Sequence, residues 1–134
     1  MYDDLLYEDE LELDEIDEMS VTQTAGGLAQ AFYGRVANEM KGRLALAVSR
    51  GRSGYAQVWR LLSNAGASQL NYQIMRLAYE MMAARNPQMR QSSQGIGVLQ
   101  SAARQIAGRL GASLRRQRHV FLLRFSQPRP GMVN

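Results

Sequence analysis

Side chains able to do acid–base or metal chemistry are few and scattered in this chain. Between residues 21 and 134 there are one histidine (His119), two glutamates (Glu39 and Glu80) and one lysine (Lys41). General acid–base catalysis needs such groups held together with tuned pKa values. His119 stands beside Arg118 and reads as an ordinary surface histidine. Glu39 has Arg35 and Arg43 one helical turn away on either side, and Glu80 follows Arg76 by four residues. Those spacings make ion pairs on a helix, not the carboxylate pair of a glycosidase. The chain has no cysteine, so thiol nucleophiles, disulfides and thiolate metal sites are excluded. A single histidine supplies no zinc set. Asp3-Asp4 and Glu8-Asp9-Glu10 lack the glycine and spacing of a calcium loop, and the glycine pairs match no phosphate-binding fingerprint. The expectation is a protein that is not an enzyme, with no catalytic residue, metal site or cofactor.

Arginine carries the chemistry instead. The net charge of +4 conceals a division. Residues 1–20 hold ten carboxylates and no base, while residues 21–134 hold fifteen arginines and Lys41 against Glu39 and Glu80, a body of +14. Guanidinium forks bind phosphate bidentately and stack on bases. Charge asymmetry of this size points to an anionic partner for the body, or to the acidic arm as that partner. Arg104, Arg109, Arg115, Arg116 and Arg118 are expected to form the densest basic face. Arg50, Arg52 and Arg60 are expected to form a second patch, and Arg76 to join the polyanion contacts.

These residues must be positioned by helices. Phe32, Val36, Met40, Leu44 and Val48 recur every four residues, predicting a helix from about Leu28 to Arg50. Ser20-Val21-Thr22-Gln23 fits a capping box before it, and Gly26-Gly27 is expected to break or loosen its start. Gly51-Arg52-Ser53-Gly54 reads as a turn. A short helix follows from Tyr55 to about Asn64, stopped by Gly66. Ser68 is expected to cap the next helix, to Arg85. That helix carries two apolar stripes, Leu70, Ile74, Leu77 and Met81 on one side and Tyr72, Met75, Tyr79 and Met82 on the other. Such a helix is central in a bundle or packed between subunits, so the second stripe is the expected subunit interface. Residues 86–95 read as a polar linker, and Gln94 to Arg116 as the last long helix. Val120 to Leu123 is too short a run to classify.

The expected fold is therefore all-α. It is a small bundle of about four helices in an arginine-rich body (21–126), after a disordered or conditionally helical acidic arm (1–20) and before an extended tail (127–134). No run approaches a transmembrane span, and the acidic start is unlike a secretory signal.

Three readings of function follow. Arginines on several helices make a polyanion footprint, binding salt-dependently by counterion release. Residues 58–79 resemble a helix-turn-helix, in which Ser68, Gln69, Asn71, Gln73 and Arg76 would face the groove; a plain helical hairpin accounts for the same pattern. Thr24-Ala25-Gly26-Gly27 after an acidic stretch resembles the double-glycine leader of bacteriocin and microcin precursors. Counting back from Gly27 as −1, Val21 falls at −7 and Ile16 at −12, the apolar positions of such leaders, whereas Thr24 at −4 departs from their aliphatic residue. The resemblance implies cleavage after Gly27 and a secreted, cationic product of 107 residues acting at membrane surfaces. The third reading is self-assembly through Met- and Tyr-rich helix faces. Together they favour a non-enzymatic protein binding nucleic acid or another polyanion, homo-oligomeric, cytoplasmic or virion-associated, with the arm as mask or docking element. The secreted bacteriocin-like protein is the alternative.

Overall fold

A computed structural model describes the backbone of residues 18–126, and the side chains of residues 24–120 with Leu122 and Leu123. The expected arm below residue 18 and the tail from Gln127 lie outside the described residues. Within them the chain is all-α. The helices are α1 (Glu18–Ser49), α2 (Arg52–Leu61), α3 (Ala67–Arg85), α4 (Ser93–Arg116) and α5 (Arg118–Ser126), with 3-10 turns at Asn64–Gly66 and Pro87–Gln91. The expected bundle is present with one helix more, because the apolar run around Val120 is helical. The linker after Asn86 also holds one of the 3-10 turns.

α3 and α4 form the most extensive pair, and α1 packs on both. Arg115 of α4 reaches Asn71 near the start of α3, while Gln100, Ala103 and Arg104 lie level with Met75 and Tyr79 further on. These two helices are therefore antiparallel. Gly26 lies beside Gln105 and Tyr33 beneath Arg109, so α1 and α4 advance in the same direction. Between the three helices lie Val36, Leu70, Ile74, Met82, Leu99, Ile106, Leu110 and Leu114, all fully or almost fully buried. Each large aliphatic side chain so buried contributes about 1.5–3 kcal/mol.

α1 begins earlier than its apolar stripe suggests. It already includes Glu18, the first described residue, and runs unbroken through Gly26-Gly27, so no capping box at Ser20 starts it and the glycines do not interrupt it. Two helical glycines cost about 1 kcal/mol each. Ala25, Ala29 and Phe32 are buried in the common core around them, and tertiary packing of this kind outweighs propensity. The next junction does require glycine. Gly51 has φ +106°, the sole positive φ among the described residues, and it turns the chain so that α2 lies back on α1. There the backbones touch, and a methyl group at Gly54 would collide with the Ala47 carbonyl.

α2 ends at Leu61 and scarcely touches α3. Gly66 does not stop α2. It lies at the N-terminus of α3 with φ −96°, and Ser68 sits inside the first turn without capping it. α4 does have a side-chain cap, since the Ser92 hydroxyl accepts a hydrogen bond from the Gly95 amide at 3.0 Å. Leu122 is fully buried and anchors α5, which lies against α1, α2 and α4.

Candidate nucleic-acid interface

The expected basic residues are distributed over three places. The first is a groove of about 800 Å³ where α1, α2 and α3 diverge. Met40, Leu44, Val58 and Leu77 form its floor, and Arg43, Arg60 and Arg76 stand on its rim. Arg43 pairs with Glu39 at 3.3 Å and Arg76 with Glu80 at 3.5 Å, both in the open. Exposed pairs of this kind contribute little to stability and release their arginine readily. Tyr72 first, and then the charge of Glu80, hold the Arg76 guanidinium above its already high pKa. Arg60 is exposed on the same rim with no carboxylate partner among the described residues. Arg35, expected to flank Glu39, lies instead over the Phe32 ring at 4.7 Å.

The second place is α4, where the expected single basic face is divided. At 100° per residue, Arg104 and Arg115 share one flank, and Arg109 and Arg116 the other. Contacts show the same split. Arg115 donates to Asn71 Oδ1 of α3 at 3.4 Å, and Arg104 lines a smaller groove with Met75 and Tyr79. Arg109 covers the Tyr33 ring of α1 at 4.4 Å. A helix packed between two neighbours presents two edges to solvent. The contact also holds Asn71, half-buried, against α4, so it does not project outward with Ser68, Gln69, Gln73 and Arg76 as a helix-turn-helix reader would.

The third place is the corner between α2 and α5. Arg52, Tyr55 and Trp59 follow at i, i+3 and i+7 and share one face of α2. The Tyr55 and Trp59 rings stack at 6.5 Å and 14°. Arg118 of α5 lies over Trp59 at 4.6 Å, and His119 meets the same ring edge-on at 5.2 Å. Arg118 Nη2 is 3.5 Å from His119 Nε2, a contact in which the imidazole accepts when Nδ1 carries its proton. Among the described residues the buried Arg118 Nε has no hydrogen-bond partner, so the ring face is its main compensation there. Trp59 is still 36% exposed. Tyr55, Trp59 and His119 were absent from the set expected from sequence. The spacing 52, 55 and 59 on α2 was a visible signal for two of them; the arrival of α5 was not. Arg50 and Arg52 flank Gly51 and are both exposed.

The expected subunit interface is corrected at one position. Met82 is fully buried in the core, because it continues the inward row of Ile74 and Ala78 on α3, and it cannot meet a partner. Tyr72 is 54% exposed, while Met75 and Tyr79 are half-buried beside the smaller groove. Among the described residues no three His, Asp or Glu side chains gather as metal ligands, and no helix is long and apolar enough to cross a membrane. Compared with known proteins, the chain matches no family model, no curated protein and no solved structure.

Proposed function

We propose that this chain is a non-enzymatic helical protein that binds nucleic acid through arginines spread over its body, with the acidic arm as a mask or docking element. The observation that carries the reading beyond a general polyanion binder is the α2–α5 corner. Phosphates are neutralised by arginines anywhere on the surface, and this gives salt-dependent, sequence-independent binding. Bases require a flat partner. Trp59, flanked by Tyr55, Arg118 and His119 with Arg52 on the same helix face, combines aromatic and guanidinium planes in the manner of single-strand binders. The leader reading draws no comparable support, because cleavage after Gly27 would cut inside α1 and remove the buried Ala25 from the core.

Trp59 is the sole tryptophan of the chain and reports on this directly. Titrating the full chain with a single-stranded oligonucleotide at low salt is expected to quench its emission. Trp59→Ala is expected to lose about 1–3 kcal/mol of oligonucleotide affinity, roughly 5- to 150-fold, and to bind heparin as before. Equal binding of both polymers with unchanged emission would reduce the reading to polyanion binding without base contact. No binding to either at low salt would end it.

A further inference from the structure

The groove between α1, α2 and α3 belongs to no contact within the described chain, and its chemistry is specific. Its floor is apolar, with Met40, Leu44 and Val58, and its rim holds Arg43, Arg60 and Arg76 against the single carboxylate of Glu80. The segment from Glu8 to Asp17 has the complementary composition. It holds seven carboxylates and no base, interleaved with Leu11, Leu13 and Ile16. We infer that this groove receives the acidic segment around Glu8–Asp17 of a second copy of the chain, so that copies join arm to groove.

The length of α1 decides between a neighbour's arm and the chain's own. Arg43 lies 25 residues beyond Glu18 on one continuous helix, roughly 37 Å at about 1.5 Å per residue. Chain drawn out straight covers about 3.3–3.6 Å per residue, so returning over that distance takes about eleven residues. In the same molecule the bridge would use up residues 7–17, leaving only Asp3 and Asp4 of the acidic residues before the helix to enter the groove. A neighbouring copy brings that segment to the groove with no such span to cross. The contact joins two different surfaces, arm to groove, so copies either exchange arms within a closed pair or join in a row from copy to copy. The inference rests on the arm being a docking element and does not require nucleic-acid binding.

Charge exchange tests it on the full chain. One variant carries Arg43→Glu and Arg60→Glu, and a second carries Glu8→Lys, Glu10→Lys and Glu12→Lys. All five positions are substituted together in a third. By light scattering and sedimentation, the unaltered chain is expected to exceed its 15.0 kDa monomer mass as concentration rises. Each of the first two variants alone is expected to associate at least about tenfold more weakly. Their equimolar mixture, and the five-fold variant alone, are expected to regain association, which also shows that the substituted chains fold. An unaltered chain that stays monomeric throughout, or a mixture that stays as dissociated as its components, overturns the inference. Oligonucleotide binding is read on the unaltered chain, because Arg43 and Arg60 are themselves proposed phosphate contacts. Charge-exchange assembly with no oligonucleotide binding by the unaltered chain at low salt refutes the nucleic-acid reading and supports arm-to-groove joining; oligonucleotide binding by an unaltered chain that never assembles does the reverse.

Discussion

At the residue scale, Trp59 and Arg118 hold α5 in place and also form the surface assigned to bases. Arg118 has its Nε buried with no hydrogen-bond partner among the described residues and its guanidinium on the indole face. A partly desolvated cation–π contact contributes about 0.5–2 kcal/mol. Arg118→Ala is therefore expected to lower unfolding stability by about that amount, and to shift the Trp59 emission maximum to the red, in urea titrations followed by circular dichroism and fluorescence. Arg118→Lys keeps the charge and loses the plane, so it should preserve the salt slope of oligonucleotide binding while weakening the binding itself. Half of this cluster was legible in the sequence. Arg52, Tyr55 and Trp59 lie at helical spacing within one short segment, whereas Arg118 and His119 arrive from a helix whose apolar run was too short to classify. Met82 shows the opposite failure. Its neighbour Met81 was placed on the inward stripe, yet Met82 is fully buried and Met81 only half-buried, because a single residue step on a helix decides which methionine faces inward.

At the scale of elements, helix type and order followed from apolar periodicity, and the terminations did not. Gly26-Gly27 carries a local breaking signal, but the alanines beside it fit against a neighbouring helix that no local pattern reveals. The two glycines have different surroundings. A methyl group at Gly27 would meet nothing within 4 Å, and one at Gly26 would make ordinary contact with Gln105. Gly27→Ala is accordingly expected to stabilise the fold by about 0.5–1 kcal/mol, seen as a raised Tm; under the leader reading it would also block processing. Gly54→Ala is expected to act in the other direction. The collision with the Ala47 carbonyl forces α2 away from α1, at a cost of about 1–3 kcal/mol. The division of α4 into two basic flanks was present in the spacing, since Arg104 and Arg115 are eleven residues apart and Arg109 and Arg116 seven. It became visible only when α1 and α3 were seen on either side of the helix.

At the scale of the whole molecule, charge segregation has a measurable reach. Interactions across solvent fade beyond about 8 Å at physiological salt, so the acidic segment acts by contact. On the two proposals, polynucleotide and a neighbour's arm would compete for Arg43, Arg60 and Arg76. Adding oligonucleotide to an assembled sample is expected to lower its average mass, and raising salt to about 0.5 M to weaken both associations together; light scattering during each titration checks this. The all-helical architecture was readable from composition and period, while the groove was not, because it exists only where α2, turned back by Gly51, leaves a gap beside α3. The 32-residue α1 adds one more consequence. It separates the root of the arm from the groove, so copies joined in a row as proposed would give it a polarity, with a vacant groove at one terminus and a vacant arm at the other. A copy with a ruined groove and a sound arm would add at the first terminus and leave nothing there for the next copy to join. Small amounts of it would shorten every row from that side alone.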